Sequence, residues 1–556
     1  MKYKLLFLFL AILLLGFLLR AWKIGTIPAG LNVDEVSEGY NAHSLLKTGK
    51  DRYGKAMPVT FKSYGSYQPP LYTYLTVLPE YVFGPTIIAV KTVTLLSGLL
   101  VIIFTFLIVR DFFEGKKKGT KALFVALTVA ITPWAIFFSR MATEASLSLA
   151  IFVIGFYLML KSVKKISLFP AACFFLGAAT YAYYSERVIS LLFLLGFILI
   201  HRIQLLKNFK WLALGLVIFG VIQIPNLAIA KSGAFTRRLE QVTYLNPQSF
   251  ERNGIAFKSL PFGKELYIIR EFSSQYLAYF SPRNLFFQPD DQAARSIPDM
   301  SVFYGWMIIP WAAGLGYFIR KRKDFLVTNL LLLMAIAPIP AALSTDPFYS
   351  LRTLVLLWVF TIAIGVGSLQ LLERINIKKL RYFIFIAFLS LSLFSFYTHY
   401  FILFRHERGE TVGYSGTELV RMTSEQPDKK FVVDLSRDVA TGIRFAFFRQ
   451  YDPWLFQKEI GAPFLSQYYT SVEYEKAYNI YNAEIRPIDW TEDIYKDQIL
   501  VGDQLAISDQ QAAEHKLKPV FDIKDLTGQV ALKGYQTQPK EKCRSLEVID
   551  IRCKSI

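Results

Sequence analysis

The sequence predicts a polytopic α-helical membrane protein with about eleven transmembrane helices, followed by a C-terminal soluble domain of α/β or α+β type. Three observations carry this. The 556 residues are 53% hydrophobic and only 19% charged, with a mean hydropathy of +0.35, too apolar for an ordinary soluble chain of this size. The apolar residues gather into runs near the roughly 20 residues that cross a hydrocarbon core. After about residue 405 these runs stop and the composition becomes mixed.

The first run, Leu5 to Leu19, follows Lys2 and Lys4. Arg20-Ala21-Trp22-Lys23 after it is charged and bulky and offers no small-residue cleavage site, so the expectation is a retained helix rather than a signal peptide. Ten further runs lie at about 86–109, 121–139, 143–160, 167–184, 187–203, 209–229, 302–319, 325–342, 353–371 and 382–402. Basic residues cluster at every second connection: Lys116/Lys117/Lys118/Lys121, Lys161/Lys164/Lys165, Arg202/Lys207/Lys210, Arg320/Lys321/Arg322/Lys323 and Arg374/Lys378/Lys379/Arg381. The positive-inside rule then predicts a multi-pass protein of the cell (plasma) membrane with a cytoplasmic N-terminus. The same alternation accounts for the net charge of +19 without nucleic acid as a partner. The other connections are expected outside: about 21–85, Ser139 to Glu144, Tyr184 to Arg187, about 230–301, Ser344 to Arg352, and the tail.

The expected division is a transmembrane domain at 1–405 and an extracytoplasmic soluble domain at 406–556, with strand-like runs at 431–435 and 498–502. Neither internal repeat nor low-complexity linker is visible. The three cysteines lack metal-like spacing, and Cys543 and Cys553 pair if their compartment is oxidising.

The unusual residues concentrate in the connections expected outside. Asp34-Glu35 sits at the start of a helical pattern that Asn32 or Asp34 can cap, so one reading is a helix start with favourable acidic residues. The other is a carboxylate at the bilayer edge, where restricted water raises its basicity enough to take a proton from a hydroxyl. Phe61 to Leu75, with Lys62, Tyr64, Gln68 and Tyr72, is aromatic and broken by Pro69-Pro70, so it cannot be one straight helix. It reads either as an interfacial belt or as a surface for sugar rings. Lys91 and Arg352 near helix ends read as anchors or as phosphate ligands, as does Arg187. Arg140 and Glu144 stand at i, i+4, either as an ion pair or with Glu144 converging on Asp34 through a divalent cation. No Walker loop, GxGxxG after a strand, GxSxG or HExxH appears, which removes support for a nucleotide-driven pump.

Asp34-Glu35 in a first external loop, Pro69-Pro70-Leu71-Tyr72, Arg140 to Glu144, Phe280-Ser281-Pro282 with Leu285-Phe286-Phe287, and Ser350-Leu351-Arg352 occur in an order that resembles the GT-C glycosyltransferases. The nearest likeness is to the phospholipid-carrier-dependent members, the protein O-mannosyltransferases and the aminoarabinose transferases. The resemblance covers about residues 1–400, is densest in 30–150, and implies external loops of GT-C type. It implies a hexosyl- or pentosyltransferase that uses a polyprenyl-phosphate-linked sugar, an external site and inversion at the anomeric carbon. The acceptor is a hydroxyl on protein, lipid or glycan, and the membrane lipid is a further partner. Asp34 aligns with the family's catalytic aspartate and Glu35 with its neighbour. Lys62, Tyr64, Gln68, Tyr72, Lys91, Arg140 and Arg352 are the expected substrate contacts. Asp34 and Glu144 are the candidate ligands of a magnesium or manganese ion, and Glu144 alternatively orients Arg140. Gln68 stands where aminoarabinose transferases carry lysine, and Ser37 where some members carry arginine, which leaves the sugar open. The rival expectation is a transporter or flippase of a glycan or lipid. It calls for ionisable residues deep in several helices and for related halves, neither of which the sequence displays.

Overall fold

The computed structural model describes residues 2–114, 117–545 and 551–555; Met1 and Lys116, the latter one of the basic cluster, lie outside them. Helix α1 (Lys2–Ala21) leads into the first long loop, which carries α2 (Val33–Thr48), a two-stranded hairpin of β1 (Phe61–Lys62) and β2 (Tyr67–Gln68), and α3 (Pro70–Phe83). The proline-broken stretch thus divides into hairpin and helix. Gly65, at φ +68°, makes the turn, and Pro70 occupies a first helical position where its missing N–H costs nothing.

The remaining expected segments all form helices. α4 (Ile87–Phe112) is followed by α5 (Lys118–Ile131), α6 (Pro133–Phe138), α7 (Glu144–Ser162), α8 (Phe169–Ala179) and α9 (Ser185–Ile200). Then come Phe209–Ala228, Ile308–Arg320, Phe325–Ile336 with Ile339–Ala342, Leu354–Glu373, and Lys378–Phe396. Among the described residues, seven helices are long and apolar enough to cross a membrane, and the chain is a multi-pass membrane protein. The other four segments, at 121–139, 167–184, 187–203 and 302–319, form shorter or broken helices. α5 ends where Pro133 removes an N–H from the ladder, and the Trp134 N–H donates to the Val302 carbonyl at 3.3 Å instead.

Leu354–Glu373 is the central helix: 83% of its apolar window is buried inside the protein, against 11% for α1. It packs on Ile308–Arg320 through glycines. A Cβ on Gly314 would strike the Ala363 carbonyl, and one on Gly367 the Pro310 carbonyl. Where lipid offers no hydrophobic drive between helices, such small residues let backbones meet closely.

Beyond Glu407 lies a six-stranded mixed sheet, in the order β4 (Tyr478–Ile480), β5 (Ala483–Ile485), β3 (Phe431–Val433), β6 (Ile499–Gly502), β8 (Val530–Gln536), β7 (Lys518–Lys524). β3 runs parallel to β5 and β6, and the other pairs are antiparallel. Cys543 and Cys553 form a disulfide. This module rests on the first loop. The Tyr40 hydroxyl donates to the Tyr451 carbonyl at 3.0 Å, Gln457 Nε2 to Ser44 Oγ at 3.0 Å, and the Tyr468 hydroxyl to Asp51 Oδ2 at 2.5 Å. Arg52 Nε lies 3.1 Å from Glu475 Oε1, with both side chains fully buried.

Candidate active site

The start of α2 fixes the first carboxylate. Asn32 Oδ1 accepts from the Asp34 and Glu35 N–H groups at 2.9 and 3.0 Å, while Glu35 Oε2 accepts from the Asn32 N–H at 2.8 Å, a reciprocal capping box. Glu35 Oε1 accepts from the Ala142 N–H at 2.6 Å, tying this turn to the chain just before α7. Asp34, next to it, faces a cavity of about 650 Å³ whose wall also contains Tyr64, Gln68, Glu144, Arg187 and Arg352. Gln68 Nε2 donates to the Asp34 carbonyl at 3.3 Å and to Asp34 Oδ1 at 3.2 Å.

Glu38, one turn after Asp34 on the same helical face, is fully buried and is not part of the cavity wall. Burial, then the charges of Glu144 and Asp34, push the Glu38 carboxyl well above the usual carboxylate range, which favours its protonated form.

Arg187 and Arg352 are the arginines on the wall, and Arg295 stands behind Arg352 across the Tyr349 ring. The Arg352 guanidinium lies 3.9 Å from the Tyr349 ring centre, and Arg295 lies 3.4 Å from the same ring. Asp290 braces the pair: Oδ1 accepts from Arg295 Nη2 at 3.0 Å, and Oδ2 from the Ser350 N–H and hydroxyl at 3.1 and 2.8 Å. Arg352 Nη1 is buried with no partner. Arg187 donates to the Phe235 carbonyl at 3.2 Å and stacks on the Phe235 and Tyr184 rings. Leu191, Leu192, Leu343 and Leu351 give the cavity an apolar flank.

Of the residues expected from sequence, Asp34, Tyr64, Gln68, Glu144 and Arg352 share this cavity; Glu35, Lys62, Tyr72, Lys91 and Arg140 are absent from its wall. Glu35 is fully buried, and each of its oxygens accepts from a backbone N–H, so it ties the first turn of α2 to the chain before α7. Lys91 Nζ donates to the Gly30 carbonyl at 3.3 Å. Arg140 spends its guanidinium on the Leu19, Arg20 and Ile27 carbonyls at 3.0, 2.7 and 2.7 Å and on the Tyr400 hydroxyl at 3.1 Å. Both cations are engaged by backbone carbonyls, Lys91 in the first loop and Arg140 in that loop and at the end of α1. The Tyr72 hydroxyl donates to the Val90 carbonyl at 2.6 Å, and Lys62 Nζ lies near the Tyr53 and Phe464 rings.

Sequence reasoning missed Glu38, although its i+4 spacing from Asp34 was a usable signal. It also missed Arg295 and Tyr349, for which no signal existed. Asp34 and Glu144 are the carboxylates within reach of a divalent cation, but among the described residues no group of three or more His, Cys, Asp or Glu side chains could hold a metal ion.

A helical membrane bundle whose long first loop lies between the bundle and a C-terminal sheet module is a fold shared with solved membrane proteins. The chain is similar in fold to ArnT from Cupriavidus metallidurans in the apo state, with a TM-score of 0.55 at 14% identity over 97% of this chain and 98% of that one. Against the same protein bound to undecaprenyl phosphate, the TM-score is 0.52 at 14% identity, over 96% and 98%. Residues 67–229, which hold Gln68, Glu144 and Arg187, match the family described as dolichyl-phosphate-mannose-protein mannosyltransferase. No curated protein matches the chain by sequence.

Proposed function

We propose that the chain is a lipid-carrier-dependent glycosyltransferase that moves a sugar from a polyprenyl-phosphate donor to an acceptor hydroxyl, with inversion, on the extracytoplasmic face of the membrane. The observation that supports this reading is one cavity holding Asp34 together with Arg352, whose buried Nη1 has no partner, beside an apolar flank suited to a polyprenyl chain. The acceptor oxygen attacks the sugar's anomeric carbon while Asp34 takes its proton. The bond from that carbon to the phosphate oxygen breaks, and its electron pair leaves with the polyprenyl phosphate. Arg352 and Arg187 neutralise the charge that develops there. Gln68 holds Asp34 in place, and Glu38 keeps the second carboxyl, Glu144, engaged.

In this reading residues 1–405 form the membrane catalytic domain and 406–556 an extracytoplasmic domain, with the N-terminus in the cytoplasm. The test is transfer in membranes from a panel of polyprenyl-phosphate sugars. Asp34→Asn is expected to lose about 10²–10⁴-fold in rate, and EDTA in the same assay reads whether a magnesium or manganese ion held by Asp34 and Glu144 takes part. Undiminished transfer by the variant removes Asp34 as base.

A further inference from the structure

Two polar atoms on the β1–β2 hairpin are buried without a hydrogen-bond partner, and both residues line the cavity: Gln68 Oε1 and Ser66 Oγ. Gln68 is only 4% exposed. The orientation of its amide is settled by what it faces: the Asp34 carbonyl and Asp34 Oδ1 are both acceptors, so the nitrogen points to them and the oxygen is the open end. Ser66 precedes β2, two residues from Gln68, the spacing that puts side chains on one face of a strand. Tyr67 between them sends its hydroxyl to the Tyr468 and Ser471 carbonyls at 2.9 and 3.0 Å.

An amide oxygen with no donor is chemically specific. It calls for an O–H or N–H from the ligand and gains nothing from a phosphate, which offers acceptors alone at neutral pH. The cavity wall holds both kinds of group, acceptors such as Asp34 and Gln68 and donors such as Arg352 and Arg187. A ligand with a phosphate at one end and hydroxyls at the other satisfies both.

Resting on the glycosyltransferase reading, we propose that the hairpin is a sugar-recognition subsite in which Gln68 Oε1 and Ser66 Oγ bind neighbouring hydroxyls of a pyranose ring, of the donor or of the acceptor. The hydroxyl at Gln68 is a donor in that contact. Ser66 both donates and accepts, so it tolerates either role.

The experiment measures binding of purified full-length protein to undecaprenyl phosphate, which has no sugar, and to undecaprenyl-phosphate mannose, glucose and galactose. Wild type is expected to bind at least one sugar-bearing carrier more tightly than the bare carrier. Gln68→Met is expected to lose about tenfold of that gain while binding undecaprenyl phosphate as before. Ser66→Ala, which leaves Asp34 untouched, should lose a similar amount. If donor binding is unchanged in both variants but transfer at saturating donor falls about tenfold in Ser66→Ala as well as in Gln68→Met, the hydroxyls belong to the acceptor. The subsite is overturned if wild type gains nothing from any sugar, if bare and sugar-bearing carriers weaken together in both variants, or if neither binding nor transfer changes. A wild type that binds the sugar-bearing carriers but transfers none defeats the catalytic reading and leaves the subsite standing.

Discussion

Glu38 decides how much negative charge the cavity carries. It is faced by Glu144 from α7, by Asp34 and Glu35 from its own helix, and by Tyr72 from α3. Its folded-state pKa is raised above the ordinary 4.5, burial being the largest cause, so the folded protein binds this proton more tightly than the unfolded chain. The contribution to stability is therefore full below about 4.5 and is lost as pH rises through the raised folded value. Glu38→Gln keeps an N–H donor toward Glu144 and removes the titration. Melting temperatures in detergent over roughly pH 5 to pH 9 should fall for wild type and stay flatter for the variant; parallel curves would show that Glu38 holds no such proton. The arginines separate by the same kind of accounting. Arg352→Gln is expected to fold and to lose about 10²–10³-fold in transfer, because the lost group acts on developing charge. Arg140→Gln strands three carbonyls and the Tyr400 hydroxyl, so it should lower the yield of monodisperse protein. A well-folded Arg140→Gln with transfer abolished would return that residue to the site.

At the scale of elements, α2 works as a holder for Asp34 because its first turn is pinned from both ends. Asn32→Ala removes the acceptor that orders the Asp34 and Glu35 N–H groups and should cost about 1 kcal/mol of stability. Transfer should fall further than such a loss explains, since Asp34 then shifts against Gln68. A melting curve beside a transfer rate separates the two effects, and a variant with lowered stability but full transfer would mean that the cap does not aim the base. This element was legible in the sequence because capping depends on residue types at fixed local spacing, and the apolar segments were legible for the same reason. The roles of Lys91 and Arg140 were not. Their partners are the backbone carbonyls of Gly30, Leu19, Arg20 and Ile27, which residue identity does not announce, so a cation at a helix end looked the same whether it gripped the chain or a phosphate. Glu144 and Arg352 were legible as charges, while their meeting in one cavity depended on how distant helices pack.

At the scale of the whole molecule, the first loop is gripped from two sides. Lys91, Arg140 and the Ala142 N–H hold it from the bundle. From the sheet module, Arg444 donates to the Leu31 carbonyl at 3.3 Å, and Glu475 meets Arg52. A Cβ on Gly30 would strike the Val412 carbonyl, so the loop threads between the two bodies with no room to spare. The module thereby helps to build the site, since Tyr64, in the cavity wall, has its hydroxyl 3.3 Å from that of Tyr478. The buried pair is where this claim meets a measurement. Arg52 also donates to the Tyr53 hydroxyl at 2.9 Å and to Ser37 Oγ in α2, and the Tyr53 hydroxyl donates to Glu475 Oε2 at 2.9 Å. Glu475→Ala leaves the guanidinium buried without its counter-charge, a loss of about 3–5 kcal/mol, and frees α2 from the module. The expected result is a large drop in melting temperature together with loss of transfer, although no residue in the cavity wall has changed. Replacing both partners, Arg52→Met with Glu475→Leu, should restore most of the stability, because two apolar groups of similar size need no charge balance. Transfer should recover with it if the module's role is to hold the loop. Recovery of stability without transfer would mean that Arg52 does more than brace, and a neutral Glu475→Ala would mean that the module and the first loop stay together without this pair.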